Sequence, residues 1–184
     1  MENKELKDFC QNLEKQKKII EFKIGKKKSE NCFHTNIDKK KIIQIFQKFQ
    51  KYDVKYFNNK VYYYNNLQLI VDSNGSQKCY FDRSNMEKID IETENMDMRI
   101  ISKEREKFDD IKFPCKKKYD LVFKRELVSI SIKNNLKINI YNKIISDKDN
   151  YEISVQYLYN PSKKEDILMI FNLVLSLFNE INAI

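Results

Sequence analysis

The sequence predicts an α+β protein: an antiparallel, closed β-barrel of about eight strands with flanking helices. Three observations carry this. Two stretches, Ile19–Gly25 and Tyr151–Tyr159, alternate with a period of two. In the first, Ile20, Phe22 and Ile24 share one face and Ile19, Glu21 and Lys23 the other; in the second, Tyr151, Ile153, Val155, Tyr157 and Tyr159 oppose Glu152, Ser154 and Gln156. Apolar side chains outside with Glu and Lys inside suit a barrel with a polar lumen. Further alternating segments fill the chain between Lys18 and Tyr159, and helical apolar stripes stand near both ends.

Taken in order, Lys4–Gln16 reads as an amphipathic helix with Leu6, Phe9, Cys10 and Leu13 at helical spacing. A strand over Lys18–Gly25 follows, then a polar loop, Lys26–Glu30. Asn36–Lys51 reads as a helix with Ile42, Ile43, Ile45, Phe46 and Phe49 as its buried stripe and Thr35 with Asp38 as a capping pair. Beyond Tyr52 the period is two. Val61–Tyr64 and Leu67–Val71 pair across Asn65-Asn66, and Ser73-Asn74-Gly75-Ser76 is a hairpin turn, because Asn-Gly accepts positive φ cheaply. Strands are expected at Cys79–Phe81, Lys88–Ile91 and Met96–Lys103. Glu104–Lys118, charged and containing Pro114, reads as a loop. Tyr119–Ile132, Leu136–Tyr141 and Tyr151–Tyr159 are the last strands, with turns at Asn134-Asn135 and Ser146–Asn150. Pro161 ends the sheet, and Ser162 with Glu165 caps a terminal helix, Lys163–Ile181, that is apolar almost all round. Such a helix is either clamped against the barrel or used at an interface.

The 184 residues, without internal repeat or linker, point to one domain, 1–184. No run of about 18 apolar residues suggests a membrane span, and Met1-Glu-Asn-Lys-Glu opens a charged helix rather than a signal peptide. A net charge of +8 favours an anionic partner such as RNA, polyphosphate or an acidic tail, or else a solvated lysine-rich surface. The four cysteines, Cys10, Cys32, Cys79 and Cys115, form no CxxC pair, which argues against a zinc ribbon and for free thiols. The one histidine, His34, has no partners at metal-ligand or triad spacing and reads as a loop or rim residue.

Several strands carry polar patterns that resemble the metal-binding and phosphate-binding strands of the triphosphate tunnel metalloenzymes. The likeness is greatest to the fungal and viral type of RNA 5′-triphosphatase, the beta subunit of the mRNA-capping enzyme. That family's first strand reads Glu-x-Glu, then a base, then Gly; here it is Ile19-x-Glu21 with Lys23 and Gly25. Asp97-Met98-Arg99-Ile100 resembles its Asp-x-Arg-Ile, with Ser102 and Glu104 near its later Ser and Glu. Arg125, Leu127 and Ser129 stand where it has a base, Arg and Ser. Asn139-Ile140-Tyr141 answers its Asp-Leu-Thr, and Glu152, Ser154 and Gln156 answer its alternating glutamates.

Hydrolysis of a triphosphate end needs a divalent metal, cations on the phosphates and a positioned water. The resemblance implies Glu21, Glu152 and Gln156 as metal ligands for Mg²⁺ or Mn²⁺. It implies Glu104 and Arg125 as catalytic residues, and Lys23, Arg99, Lys103, Arg125 and Lys137 as phosphate ligands. Ile19, Leu127, Asn139 and Ser154 depart from the pattern, so the activity expected is reduced. The substrate implied is triphosphate-ended RNA or polyphosphate. The partners implied are the guanylyltransferase subunit or a second copy, with no membrane, in the nucleus or, for a viral chain, the cytoplasm. The alternative is a catalytically inactive barrel of the same fold serving the capping or transcription machinery.

Overall fold

The computed structural model describes residues 18–29, 32–65, 67–82, 87–92, 97–103, 105–108, 119–133, 135–159 and 167–183. The strands are β1 (Lys18–Ser29), β2 (Cys32–His34), β3 (Asp53–Tyr64), β4 (Leu67–Asp72), β5 (Gln77–Asp82), β6 (Glu87–Ile91), β7 (Asp97–Lys103), β8 (Arg105–Phe108), β9 (Leu121–Lys133), β10 (Leu136–Ile145) and β11 (Lys148–Tyr159). The helices are α1 (Lys39–Phe49) and α2 (Ile167–Asn182).

All strand pairs are antiparallel, and the sheet runs β6-β7-β1-β11-β10-β9-β3-β4-β5-β8, with β2 paired onto β1. Among the described residues no ladder joins the two ends of this path. One residue separates β7 from β8, and residues 83–86 separate β5 from β6.

The sheet has two chemically different faces because each strand alternates. Ile20, Phe22 and Ile24 of β1, Met98 and Ile100 of β7, Ile153 and Val155 of β11 and Ile138 of β10 point to one side. There they form one core with Ile42, Ile45 and Phe49 of α1 and Val174, Leu177, Phe178 and Ile181 of α2. Each large side chain buried there contributes about 1.5–3 kcal/mol. The terminal helix is thus clamped onto the sheet, and Lys48 of α1 pairs with Glu180 of α2 at 3.4 Å. A smaller cluster, Leu69 and Cys79 with Tyr62, Tyr64 and Val71, lies on the same side of β3–β4–β5.

Three expectations need correction, and others fall outside the described residues. The lysine-rich segment after Gly25 is not a loop: β1 continues to Ser29, with Lys26 opposite His34 and Lys27 opposite Phe33. Residues 105–108, expected in a loop, form β8 against β5; Arg-Glu-Lys-Phe shows no apolar alternation, so only its partner strand reveals it. The Thr35–Asp38 capping pair does not form. Asp38 occupies the N-cap position without a side-chain bond, and the preceding residues instead bind β11. There the Tyr151 N–H donates to Asn36 Oδ1 at 3.2 Å and the Ile37 N–H to the Tyr151 carbonyl at 2.8 Å. The Lys4–Gln16 helix, the Ser162–Glu165 cap, Cys10 and Cys115 lie outside the described residues.

The Asn-Gly turn forms as expected. Gly75 has φ +80°, and the Asp72 carboxylate accepts from the Asn74 and Ser76 N–H groups at 2.9 and 2.8 Å. No described helix is long and apolar enough to cross a membrane.

Candidate anion-binding site

The second face of the sheet carries the polar positions. Its registers place them in cross-strand rows. One row runs Arg99, Lys23, Ser154, Asn139, Ser129 across β7, β1, β11, β10 and β9. The next runs Ile101, Glu21, Gln156, Lys137. Successive rows lie about 6.6 Å apart along a strand. Arg99, Ser154, Asn139 and Ser129 are buried, as is Glu21. Lys23 and Gln156 are half-buried and Lys137 is exposed. The Ser154 hydroxyl has no hydrogen-bond partner, although it is enclosed in this row. A buried polar atom of this kind costs stability unless a ligand or water satisfies it.

The first row is rich in donors. Asn139 and Ser154, which replace acids of the resembled pattern, supply a neutral amide and a hydroxyl beside Lys23. Arg99 is held by Asp90 of β6 in a two-point bond, 2.6 Å to Nε and 2.9 Å to Nη2, and stacks on Phe33 with 4.8 Å to the ring centre. The guanidinium holds the Asp90 carboxyl below the usual carboxylate range, against the opposing effect of burial. The Arg99 pKa moves up for the same reason.

Further along the face, Glu152 lies opposite Tyr141, and Tyr141 opposite Leu127. The Glu152 carboxylate pairs with Lys143 Nζ at 2.6 Å. Burial pulls the Lys143 pKa down, reinforced by Lys23 and opposed first by Glu152 and then by Glu21. Lys143 feels the Glu21 carboxylate as well as that of Glu152. Glu21 faces Gln156, and Glu152 sits two rows further along β11. Arg125 stacks on Tyr141 at 6.0 Å and lines a cavity of about 260 Å³ with Phe57, Asn59, Lys78 and Tyr80. A larger cavity of about 480 Å³ lies between this face and β2; its walls include Phe33, His34, Asn36, Tyr63, Phe123, Lys143 and Glu152.

Gly25 is what lets β2 sit there. It points to the polar face opposite Asp97, and a Cβ on it would lie 2.0 Å from the His34 carbonyl oxygen and 2.8 Å from Phe33. Asp97 is occupied structurally: its Oδ2 accepts the Lys27 N–H at 2.8 Å.

The metal ligands implied by the resemblance are spread along the polar face, Glu21 opposite Gln156 and Glu152 two rows further along β11. Among the described residues no three His, Cys, Asp or Glu side chains cluster. Glu21 has an amide opposite it and Glu152 has a lysine. Within the implied set Glu21 and Glu152 are the described carboxylates, and one or two carboxylates hold Mg²⁺ where substrate phosphates and waters fill the remaining positions. Glu104 and the Lys103 side chain lie outside the described residues. Lys143 was missed because its strand was ended at Tyr141; the alternation 137, 139, 141, 143 carries it inward. Asp90 carries no such signal, since its meeting with Arg99 depends on the β6–β7 register.

No protein-family model matches the sequence, and no curated protein sequence matches it. Solved structures do. The S. pombe Pct1 RNA triphosphatase, in complex with the Spt5 CTD, superposes with a TM-score of 0.67 at 13% identity, over 97% of this chain and 89% of that one. The Mimivirus capping enzyme triphosphatase gives 0.63 at 15% identity, over 96% and 95%. The chain has the fold of the tunnel RNA triphosphatases. At this identity the likeness speaks for the fold, and the rows described above show what this chain has placed on it.

Proposed function

We propose that this one-domain chain receives the 5′-triphosphate end of RNA in mRNA capping, as an RNA 5′-triphosphatase of reduced activity. The observation that carries the reading is the donor row, half-buried Lys23 with buried Ser154, Asn139 and Ser129, on the polar face of an RNA triphosphatase fold. Such a row meets a phosphate with charge and hydrogen bonds in a site shielded from water.

The reading includes closure of the sheet into a tunnel. Lys103 of β7 pairs with Ile19 of β1, and Arg105 of β8 pairs with Asp82 of β5. Two residues apart, Lys103 and Arg105 have Cα atoms at most about 7.6 Å from each other. The two ends of the sheet therefore flank one short stretch of chain. The alternation supports this too, since odd-numbered positions of β7 and of β8 both continue the polar face through their ladders. Counting β7–β8 and β5–β6 as single strands leaves a barrel of about eight strands.

A second reading, a tunnel that binds but does not hydrolyse, is favoured by Glu21 standing opposite Gln156 and by the Glu152–Lys143 ion pair, with no cluster of three carboxylates among the described residues. A guanylyltransferase partner, pairing of two copies and a nuclear (or, for a viral chain, cytoplasmic) location belong with either reading. The experiment is calorimetric titration with tripolyphosphate and triphosphate-ended RNA at low salt, with EDTA and without, beside a phosphate-release assay with Mg²⁺ or Mn²⁺. Binding that survives EDTA, with slow release, is the expected result. Absence of binding at low salt overturns the function, and turnover in the range of about 1–10³ s⁻¹ overturns the reduced activity.

A further inference from the structure

We propose that the cavity of about 480 Å³ between β2 and the polar face is a nucleoside pocket, which takes the base of the nucleotide whose phosphates lie on the donor row. The inference rests on the anion-site reading above and adds what recognises the rest of the ligand. Position comes first. Glu152, in the cavity wall, precedes Ser154 of the donor row by two residues on β11, a step of about 6.6 Å. Phe33, also in the wall, stacks on Arg99 at 4.8 Å. The cavity thus opens one strand step from the phosphates.

Chemistry comes second. Phe33, Tyr63 and Phe123 give aromatic walls, and Tyr63 and Phe123 lie nearly parallel at 6.0 Å. Aromatic faces of this kind hold bases of any sequence by stacking. Two amides complete the lining. Asn36 has its oxygen on the Tyr151 N–H, and Asn150 has its nitrogen on the Lys143 and Lys148 carbonyls. They offer the pocket a donor from Asn36 and an acceptor from Asn150, the pair that a base edge can answer. The volume lies in the range of sites for small organic ligands.

The test is calorimetry on the full chain at low salt with tripolyphosphate, ATP and GTP. A nucleoside triphosphate is expected to bind about ten-fold tighter than tripolyphosphate, or better. Tyr63→Leu, which keeps bulk but removes the ring, should cancel most of that advantage and leave tripolyphosphate binding within about two-fold. Asn150→Ala, at the strand end, carries the same test if Tyr63→Leu does not fold. Equal affinity for nucleotide and tripolyphosphate overturns the pocket and leaves the anion site standing. An advantage that survives both substitutions also overturns it, since the base is then held elsewhere. Failure of all three ligands to bind removes the anion site and the pocket with it.

Discussion

A missing side chain at position 25 decides where β2 runs. The hydrogen of Gly25 leaves room for the His34 carbonyl, a backbone atom that cannot rotate aside. Gly25→Ala is expected to destabilise the protein by about 1–3 kcal/mol, the cost of overpacking a close contact. For a chain of this length that lowers the melting temperature by roughly 2–4 °C per kcal/mol. An unchanged melting temperature would show that β2 does not lie against β1 as described. The Arg99–Asp90 pair makes a second prediction at this scale. Both side chains are about 10% exposed, so removing one partner strands a charge, at a cost of about 3–5 kcal/mol. Asp90→Asn should show that loss at neutral pH in urea unfolding. The folded pKa of Asp90 is depressed, so the pair's contribution is fully present above the unfolded value of 3.8 and is lost as pH falls through the folded pKa. The gap between the two proteins should therefore narrow below about pH 4; a gap that stays constant through that range would contradict the assignment.

At the scale of elements, each strand and helix of the core has one apolar side, and burial tells which residues hold it together. Phe178 on α2 is 2% exposed in the core shared with β1 and β11, whereas Met169 on the same helix is 63% exposed. Phe178→Ala should cost about 3–5 kcal/mol, and Met169→Ala should stay within about 0.5 kcal/mol of the parent. Denaturant midpoints distinguish the two, and a large loss from Met169→Ala would mean that α2 has a second buried side. The elements most legible in the sequence were those with this one-sided burial. Ile20, Phe22 and Ile24 against Glu21 and Lys23 marked β1, and the stripe Ile42, Ile45, Phe49 marked α1. The less legible ones were the end of β1 and the whole of β8, where charged residues occupy both faces and no period shows.

At the scale of the molecule, what matters is the field inside the sheet. Lys23, Lys137, Lys143, Arg99 and Arg125 share the polar face with the acids Glu21, Asp90, Asp97 and Glu152, of which Asp90 pairs with Arg99 and Glu152 with Lys143. Anion binding there should fall with salt, and Lys23→Ala should weaken tripolyphosphate and flatten the salt dependence by about one unit of slope. A slope unchanged by that substitution would place the anion elsewhere on the surface.

The pleat is local: a side chain's face follows from its parity within the strand. The sequence by itself therefore determined that Glu21, Lys23, Arg99, Lys137, Glu152, Ser154 and Gln156 stand opposite the apolar residues of their own strands, while the resemblance placed Arg125 with them. Which of them meet is not local. Lys23 stands opposite Ser154, Arg99 bonds Asp90, Glu152 bonds Lys143, and β2 crosses Gly25 only because the strands settle in particular registers. Those registers come from packing the apolar face against α1 and α2 and from joining strands across the whole sheet, so tertiary structure alone decided that Lys23, Ser154, Asn139 and Ser129 line up in one donor row.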